Sequence, residues 1–182
     1  RLGERELAIL TKDGVTVINS YGERVNCVYE HIDWDASAAE KCGYPHFMIK
    51  EIMEQPEAIA KTIAPRISNG RIELGFKHIT AEMLKKVNSI KIIGCGSAYH
   101  VGFVAGYFMR AALRIPVESV LASEFRYDDP IVDENTLAIV ISQSGETLDT
   151  LYGLREAKKH GAKTIAIVNV VGSTIANESE DV

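Results

Sequence analysis

Thr136-Leu-Ala-Ile-Val-Ile141 passes without a break into Ser142-Gln-Ser-Gly-Glu-Thr147. The first half is almost wholly apolar and β-branched or aliphatic, the pattern of a strand buried on both faces of a parallel sheet. The second half is made of hydroxyls, an amide, a glycine and one carboxylate. It leads into an amphipathic helix predicted over 147–160, ended by Gly161 at the C′ position. The same strand–turn–helix rhythm recurs on both sides. Ile90-Lys-Ile-Ile93 ends at Gly94-Cys-Gly96 and precedes a helical stretch over 98–113. Pro116-Val-Glu-Ser-Val-Leu121 is a second strand, followed by a capped helical turn at Ser123-Glu-Phe-Arg-Tyr127. Lys163-Thr-Ile-Ala-Ile-Val168 is a fourth strand, and residues 173–178 open another helix. Strands alternating with helices require right-handed βαβ crossovers and a parallel sheet covered on both faces. The reading is an α/β doubly wound domain over 89–182, flavodoxin-like in strand order.

Upstream the rhythm differs. Glu6-Leu-Ala-Ile-Leu10 and Val15-Thr-Val-Ile18 flank an Asp-Gly hairpin signal, and Arg24-Val-Asn-Cys-Val-Tyr29 follows a second turn. With the polar connector after it, in which Trp34 reads as a packing anchor, this makes a β-meander over 1–40, too short to stand alone. Residues 41–88 form a helical lead-in, with apolar residues from Phe47 to Ile63 at three- and four-residue steps. Pro56 is expected to break or restart that helix. Asn69-Gly70 marks a turn, and residues 81–87 a short helix.

The chain has 182 residues, 46% of them hydrophobic, which is ample for a core. Acidic residues exceed basic ones by 25 to 20, and without a basic cluster there is no electrostatic footprint for nucleic acid. No apolar run approaches the roughly 20 residues that span a bilayer. The polar opening Arg1-Leu-Gly-Glu-Arg-Glu is no signal peptide. Cys27, Cys42 and Cys95 lack paired spacing, which argues against disulfides or zinc and fits a reducing cytoplasm. The histidines show no metal spacing either, so neither a metal nor a cofactor is expected. The missing initiator methionine and the stop just after a helical segment read as a piece cut from a longer protein.

Ligands in such sheets sit beyond the carboxyl ends of the strands, where loops enter helix N-termini. Ser142-Gln-Ser-Gly-Glu-Thr147 occupies that place. A phosphate dianion there meets unpaired backbone N–H groups and the positive end of a helix dipole. Ser142, Ser144, Thr147 and Gln143 add side-chain donors, and Gly145 lets the backbone approach. The absence of a lysine is unlike a P-loop and suits a monophosphate without magnesium. The plainer reading is a helix N-cap, with Ser144 as the cap and Glu146 in the first turn; a cap needs one hydroxyl, and here there are three. Gly94-Cys-Gly-Ser-Ala-Tyr99 is the second candidate. A dinucleotide fingerprint requires a third glycine where Tyr99 stands, and Glu118 falls too early in its strand for a ribose contact, so a nucleotide-dependent oxidoreductase is the weaker reading. Cys95 reads as a buried small hydrophobe. Glu124 and Arg126 either face the site or pair with each other.

In this order, Gly94-Cys-Gly-Ser97, Ala122-Ser-Glu-Phe-Arg-Tyr127 and Ser142-Gln-Ser-Gly-Glu-Thr147 resemble the first sugar-isomerase (SIS) domain of the glutamine–fructose-6-phosphate aminotransferase family. Pro45-His-Phe-Met-Ile-Lys-Glu-Ile-Met-Glu-Gln-Pro56 is similar to the segment entering that family's isomerase part. The resemblance implies that 1–40 is the end of a glutaminase domain and that 89–182 is a first SIS domain truncated at its C-terminal end. It implies formation of glucosamine-6-phosphate from fructose-6-phosphate and glutamine in the cytoplasm, within a homodimer, and a hexose-6-phosphate as ligand. Ser142, Gln143, Ser144 and Thr147 match the family's phosphate loop, with Gly94, Gly96 and Gly145 shaping the backbone. Ser97-Ala98 stands where the family carries Thr-Ser against the sugar, so Ala98 offers only its backbone N–H. The family's glutaminase cysteine and isomerase lysine, glutamate and histidine have no counterparts here. The chain is thus expected to bind without catalysing, its partners being the glutaminase and second SIS domains. A regulatory SIS module that senses a phosphosugar is the alternative. The β-meander and the lack of a basic helix-turn-helix favour the enzyme.

Overall fold

A computed structural model of the protein describes residues 2–26 and 40–182. The expected strand residues beyond 26, Cys27 and Trp34 lie outside the described residues. The chain divides into two compact units, Arg1–Pro65 and Arg66–Val182.

In the first unit, β1 (Leu7–Thr11), β2 (Gly14–Ile18) and β3 (Arg24–Val25) form the expected antiparallel meander. Thr11 pairs with Gly14, so the hairpin loop is Lys12-Asp13 and the glycine opens β2. Helix α1 (Phe47–Ile63) runs straight through Pro56, contrary to the expected break. The proline removes a single i→i−4 donor, and the apolar stripe continues on both sides of it.

The second unit begins with a hairpin of β4 (Ile67–Ser68) and β5 (Arg71–Ile72). Its turn is Asn69-Gly70, both at positive φ (50° and 73°), as a tight two-residue hairpin turn demands. A short helix α2 (Ala81–Lys86) follows, capped by the Thr80 side chain on Met83 N–H. Then come β6 (Ser89–Gly94), α3 (Ser97–Leu113), β7 (Val117–Leu121), α4 (Ala122–Phe125), β8 (Thr136–Ser142), α5 (Leu148–Lys159), β9 (Lys163–Val168) and α6 (Thr174–Glu178). Helix α4 starts at Ala122, one residue before the serine expected to cap it; Ser123 Oγ contacts Glu124 Oε1 instead.

The four strands form one parallel sheet in the order β7-β6-β8-β9. The first strand lies between the second and third, which is the flavodoxin-like order expected. Both faces are covered, as the apolar runs require. Ile90, Ile92, Val117 and Leu137 pack on the α3 side with Ala105 and Met109. Ile93, Ala138, Val140 and Ala166 pack on the other, with Phe125, Leu151, Leu154 and Ile175. Helix α5 ends as predicted: Gly161 (φ 89°) donates to Lys158 O and Ala162 to Ala157 O, the Schellman arrangement. The buried Asp181 carboxylate accepts N–H bonds from Lys77, His78 and Ile79 at 2.7–3.0 Å, tying the approach to α2 onto the sheet. Burial alone would raise its pKa, but these three donors hold it below the ordinary aspartate value.

Candidate functional site

Because β6 is flanked by β7 and β8, the connections leaving β6 and β8 turn to opposite faces of the sheet, and a crevice opens between them. A cleft of about 170 Å³ lies there, lined by Cys95, Ser97, Ala98, Ile141, Ser142, Gln143, Ser144, Thr147 and Thr150. The two motifs singled out in the sequence, about 50 residues apart, form its two walls. All six residues expected to touch a ligand are in the lining. No lining residue carries a formal charge, so an anion there would be met by hydroxyl and amide donors and by the N-termini of α3 and α5.

The glycines shape the walls. Gly96 is the N-cap of α3 at φ 55°, ψ −129°, a conformation closed to other residues. A Cβ on Gly94 would stand 3.2 Å from the backbone of Ala98 and Tyr99. Gly145, at φ 66°, has Ser173 directly behind it.

The 142–147 loop is more self-satisfied than the sequence suggested. Gly145 N–H donates to Ser142 Oγ at 3.0 Å and Glu146 N–H to Ser144 Oγ at 3.1 Å. Ser142, only 4% exposed, also lies 3.3 Å from Thr147 Oγ1. These hydroxyls are not thereby spent. An oxygen that accepts from a backbone N–H still has its own proton to give, so Ser144 can relay the polarity of that N–H to an anion. Thr147, expected inside the first turn of α5, is its N-cap by position, and its side chain makes no cap bond. Ser144 is therefore a turn residue and not the helix cap. Ala98 N–H, the expected sugar donor, already donates to Cys95 O at 3.2 Å.

Three lining residues, Cys95, Ile141 and Thr150, were not foreseen as ligand contacts. Thr150 is buried in the first turn of α5, and its hydroxyl donates to the half-buried Cys95 sulfur at 3.7 Å. Its signal was the spacing from Thr147, which puts both on the helix face above the loop. Glu124 and Arg126 belong elsewhere. Glu124 lines a second cleft of about 310 Å³ with Lys91, Glu118, Asp128 and Asp129. Arg126 stacks on the rings of Tyr127 and Tyr152, 4.4 and 4.8 Å from their centroids. The second cleft is larger, but its carboxylates outnumber its one lysine and repel a phosphate.

Comparison with known proteins agrees with this fold. The sequence pattern of the SIS domain matches residues 83–182. The chain is 51% identical, over its full length, to glutamine–fructose-6-phosphate aminotransferase [isomerizing] of Clostridium tetani, and 44% identical over 179 residues to the Thermotoga maritima protein of that name. It spans only 30% of the length of either relative. Among solved structures, the C-terminal domain of glucosamine-fructose-6-phosphate aminotransferase from Francisella tularensis superposes with a TM-score of 0.72 at 40% identity, covering 78% of this chain and 40% of that one. Glucosamine-6-phosphate deaminase from Thermotoga maritima gives 0.58 at 25% identity, over 75% of this chain and 40% of that one. With its parallel sheet, its switch-point cleft and this agreement in sequence, the chain belongs to the SIS domain family.

Proposed function

We propose that this chain binds a hexose 6-phosphate, with the phosphate on Ser142, Gln143, Ser144 and Thr147 and the sugar against Ser97 and Ala98. The observation that carries the reading is the uncharged, donor-rich cleft at the switch point between β6 and β8. Its chemistry fits a monophosphate monoester: several neutral donors and two helix N-termini offset a dianion without the lysine or magnesium that a triphosphate requires. Its size fits as well. Sites that enclose a whole small ligand measure about 300–1,000 Å³, so 170 Å³ takes the phosphate and only part of the sugar.

That incompleteness agrees with a part-enzyme. In this reading residues 1–40 end a glutaminase domain, 41–88 lead into the isomerase part, and 89–182 form the first SIS domain. The complete protein makes glucosamine-6-phosphate from fructose-6-phosphate and glutamine, as a cytoplasmic homodimer. The cleft lining offers alcohols, an amide and one thiol, with no carboxylate, histidine or lysine to serve as the general base that moves a proton between C1 and C2. Turnover therefore depends on other domains, and this chain alone binds without catalysing. Calorimetric titration tests the reading. Fructose-6-phosphate and glucosamine-6-phosphate are expected to bind, weakly, and fructose and glucose not at all. Equal affinities for glucose and glucose-6-phosphate would overturn it.

A further inference from the structure

The 142–147 loop contains one carboxylate, and its sign is wrong for a phosphate site. Glu146 nevertheless does not line the cleft. Its Oε1 accepts the backbone N–H of Thr174 at 2.8 Å, so the side chain is directed onto the first residue of α6. The surrounding contacts follow the same route. Gly145 O accepts from Ile175 N–H at 3.0 Å, and Gln143 O from Asn169 N–H at 3.2 Å. Ser173, 1% exposed, is packed so tightly behind Gly145 that a Cβ there would stand 2.0 Å from its hydroxyl oxygen. The loop is thus latched along 143–146 to the segment 169–175 that follows β9. Backbone carbonyls make two of the latches and depend on no particular side chain. The third is the Glu146 carboxylate.

We infer that Glu146 is a positioning residue for the phosphate loop. Its carboxylate, anchored on α6, holds residues 142–147 in their anion-binding shape and keeps its own negative charge off the cleft. A carboxylate is suited to this because a bond from a backbone N–H to an ionised acceptor is stronger than one to a neutral group. Freed from α6, the same group would add repulsion against a phosphate a few ångströms away. The inference rests on the phosphate reading of the cleft.

Glu146→Ala and Glu146→Gln separate positioning from simple stability, because glutamine keeps an acceptor of equal reach. Two readouts are needed on the whole chain: amide hydrogen exchange at residues 145–148 and 174, and the Kd for fructose-6-phosphate. Glu146→Ala is expected to speed exchange at both places and to weaken binding about five- to tenfold. Glu146→Gln should recover most of both. Loop exchange that stays at the parent rate in Glu146→Ala overturns the inference, and so does faster exchange with unchanged affinity. A parent protein with no affinity for fructose-6-phosphate refutes the phosphate reading itself, and the role of Glu146 falls with it; the parent titration identifies that failure before any variant is compared.

Discussion

Replacing Gly145 by alanine adds one methyl group, and the structure assigns that methyl two separate costs. The first is conformational. Gly145 sits at φ 66°, where an L-residue brings its Cβ against the following carbonyl at about 1–2 kcal/mol. The second is steric. The new Cβ would lie 2.0 Å from Ser173 Oγ and 2.4 Å from Ser173 Cβ, far inside van der Waals contact. Ser173 is buried, so relief requires a shift of the loop or of the start of α6, at about 1–3 kcal/mol for an overpacked site. Together these give about 2–5 kcal/mol, read as a fall in the urea midpoint with an unchanged slope. A double variant, Gly145→Ala with Ser173→Gly, removes the collision and leaves the φ penalty, so it should recover about half of the loss. Because the loop shifts in the single variant, phosphosugar affinity should drop well before unfolding begins. A Gly145→Ala protein as stable as its parent, or a double variant no better than the single one, would refute this account of the loop.

Three further outcomes are expected. Thr147→Ala should weaken fructose-6-phosphate binding by roughly ten- to a hundredfold, the value of one hydrogen bond to a charged group; melting should change little, since the Thr147 side chain makes no cap bond, and calorimetry with thermal melts checks both. Ser173→Ala should leave stability unchanged or raise it by about 1 kcal/mol, because the buried Ser173 hydroxyl finds no partner among the described residues and its desolvation is uncompensated; chemical denaturation measures it. Asp181→Asn should cost about 1.5–3 kcal/mol at pH 7, and the gap from the parent should close with acidification: a carboxylate whose folded pKa is depressed stabilises above its unfolded value, near 4, and loses that contribution as pH falls through the folded value. Denaturation midpoints at pH 7, 5 and 3 follow the gap.

The sheet was legible in the sequence because a strand buried on both faces leaves a continuous apolar run, and Thr136–Ser142 and Lys163–Val168 both do so. The place of the site followed from topology, since the two hydroxyl- and glycine-bearing turns are those on either side of the switch point. What escaped were interactions between residues remote in sequence. Nothing around Glu146 indicates that its partner is the N–H of Thr174, 28 residues later. Ser144 imitates a cap of α5 in the local sequence, because its Oγ accepts from Glu146 N–H in a turn that precedes the helix. Local propensity predicts a break at Pro56, which α1 overrides at the cost of one bond. The bond from Ala98 N–H to Cys95 O depends on how the Gly96 backbone turns, which local sequence does not reveal.

Amide chemical-shift mapping during titration with fructose-6-phosphate, with fructose as the control, tests the central claim most directly, because it reports where the phosphate sits as well as whether it binds. The resonances of residues 142–147 and of Ser97 and Ala98 are expected to move with fructose-6-phosphate and to stay in place with fructose. Inorganic phosphate should reproduce the shifts at 142–147 and leave Ser97 and Ala98 nearly unchanged. Shifts concentrated elsewhere on the molecule, or identical shifts with the unphosphorylated sugar, would contradict the assignment of this cleft to a sugar phosphate.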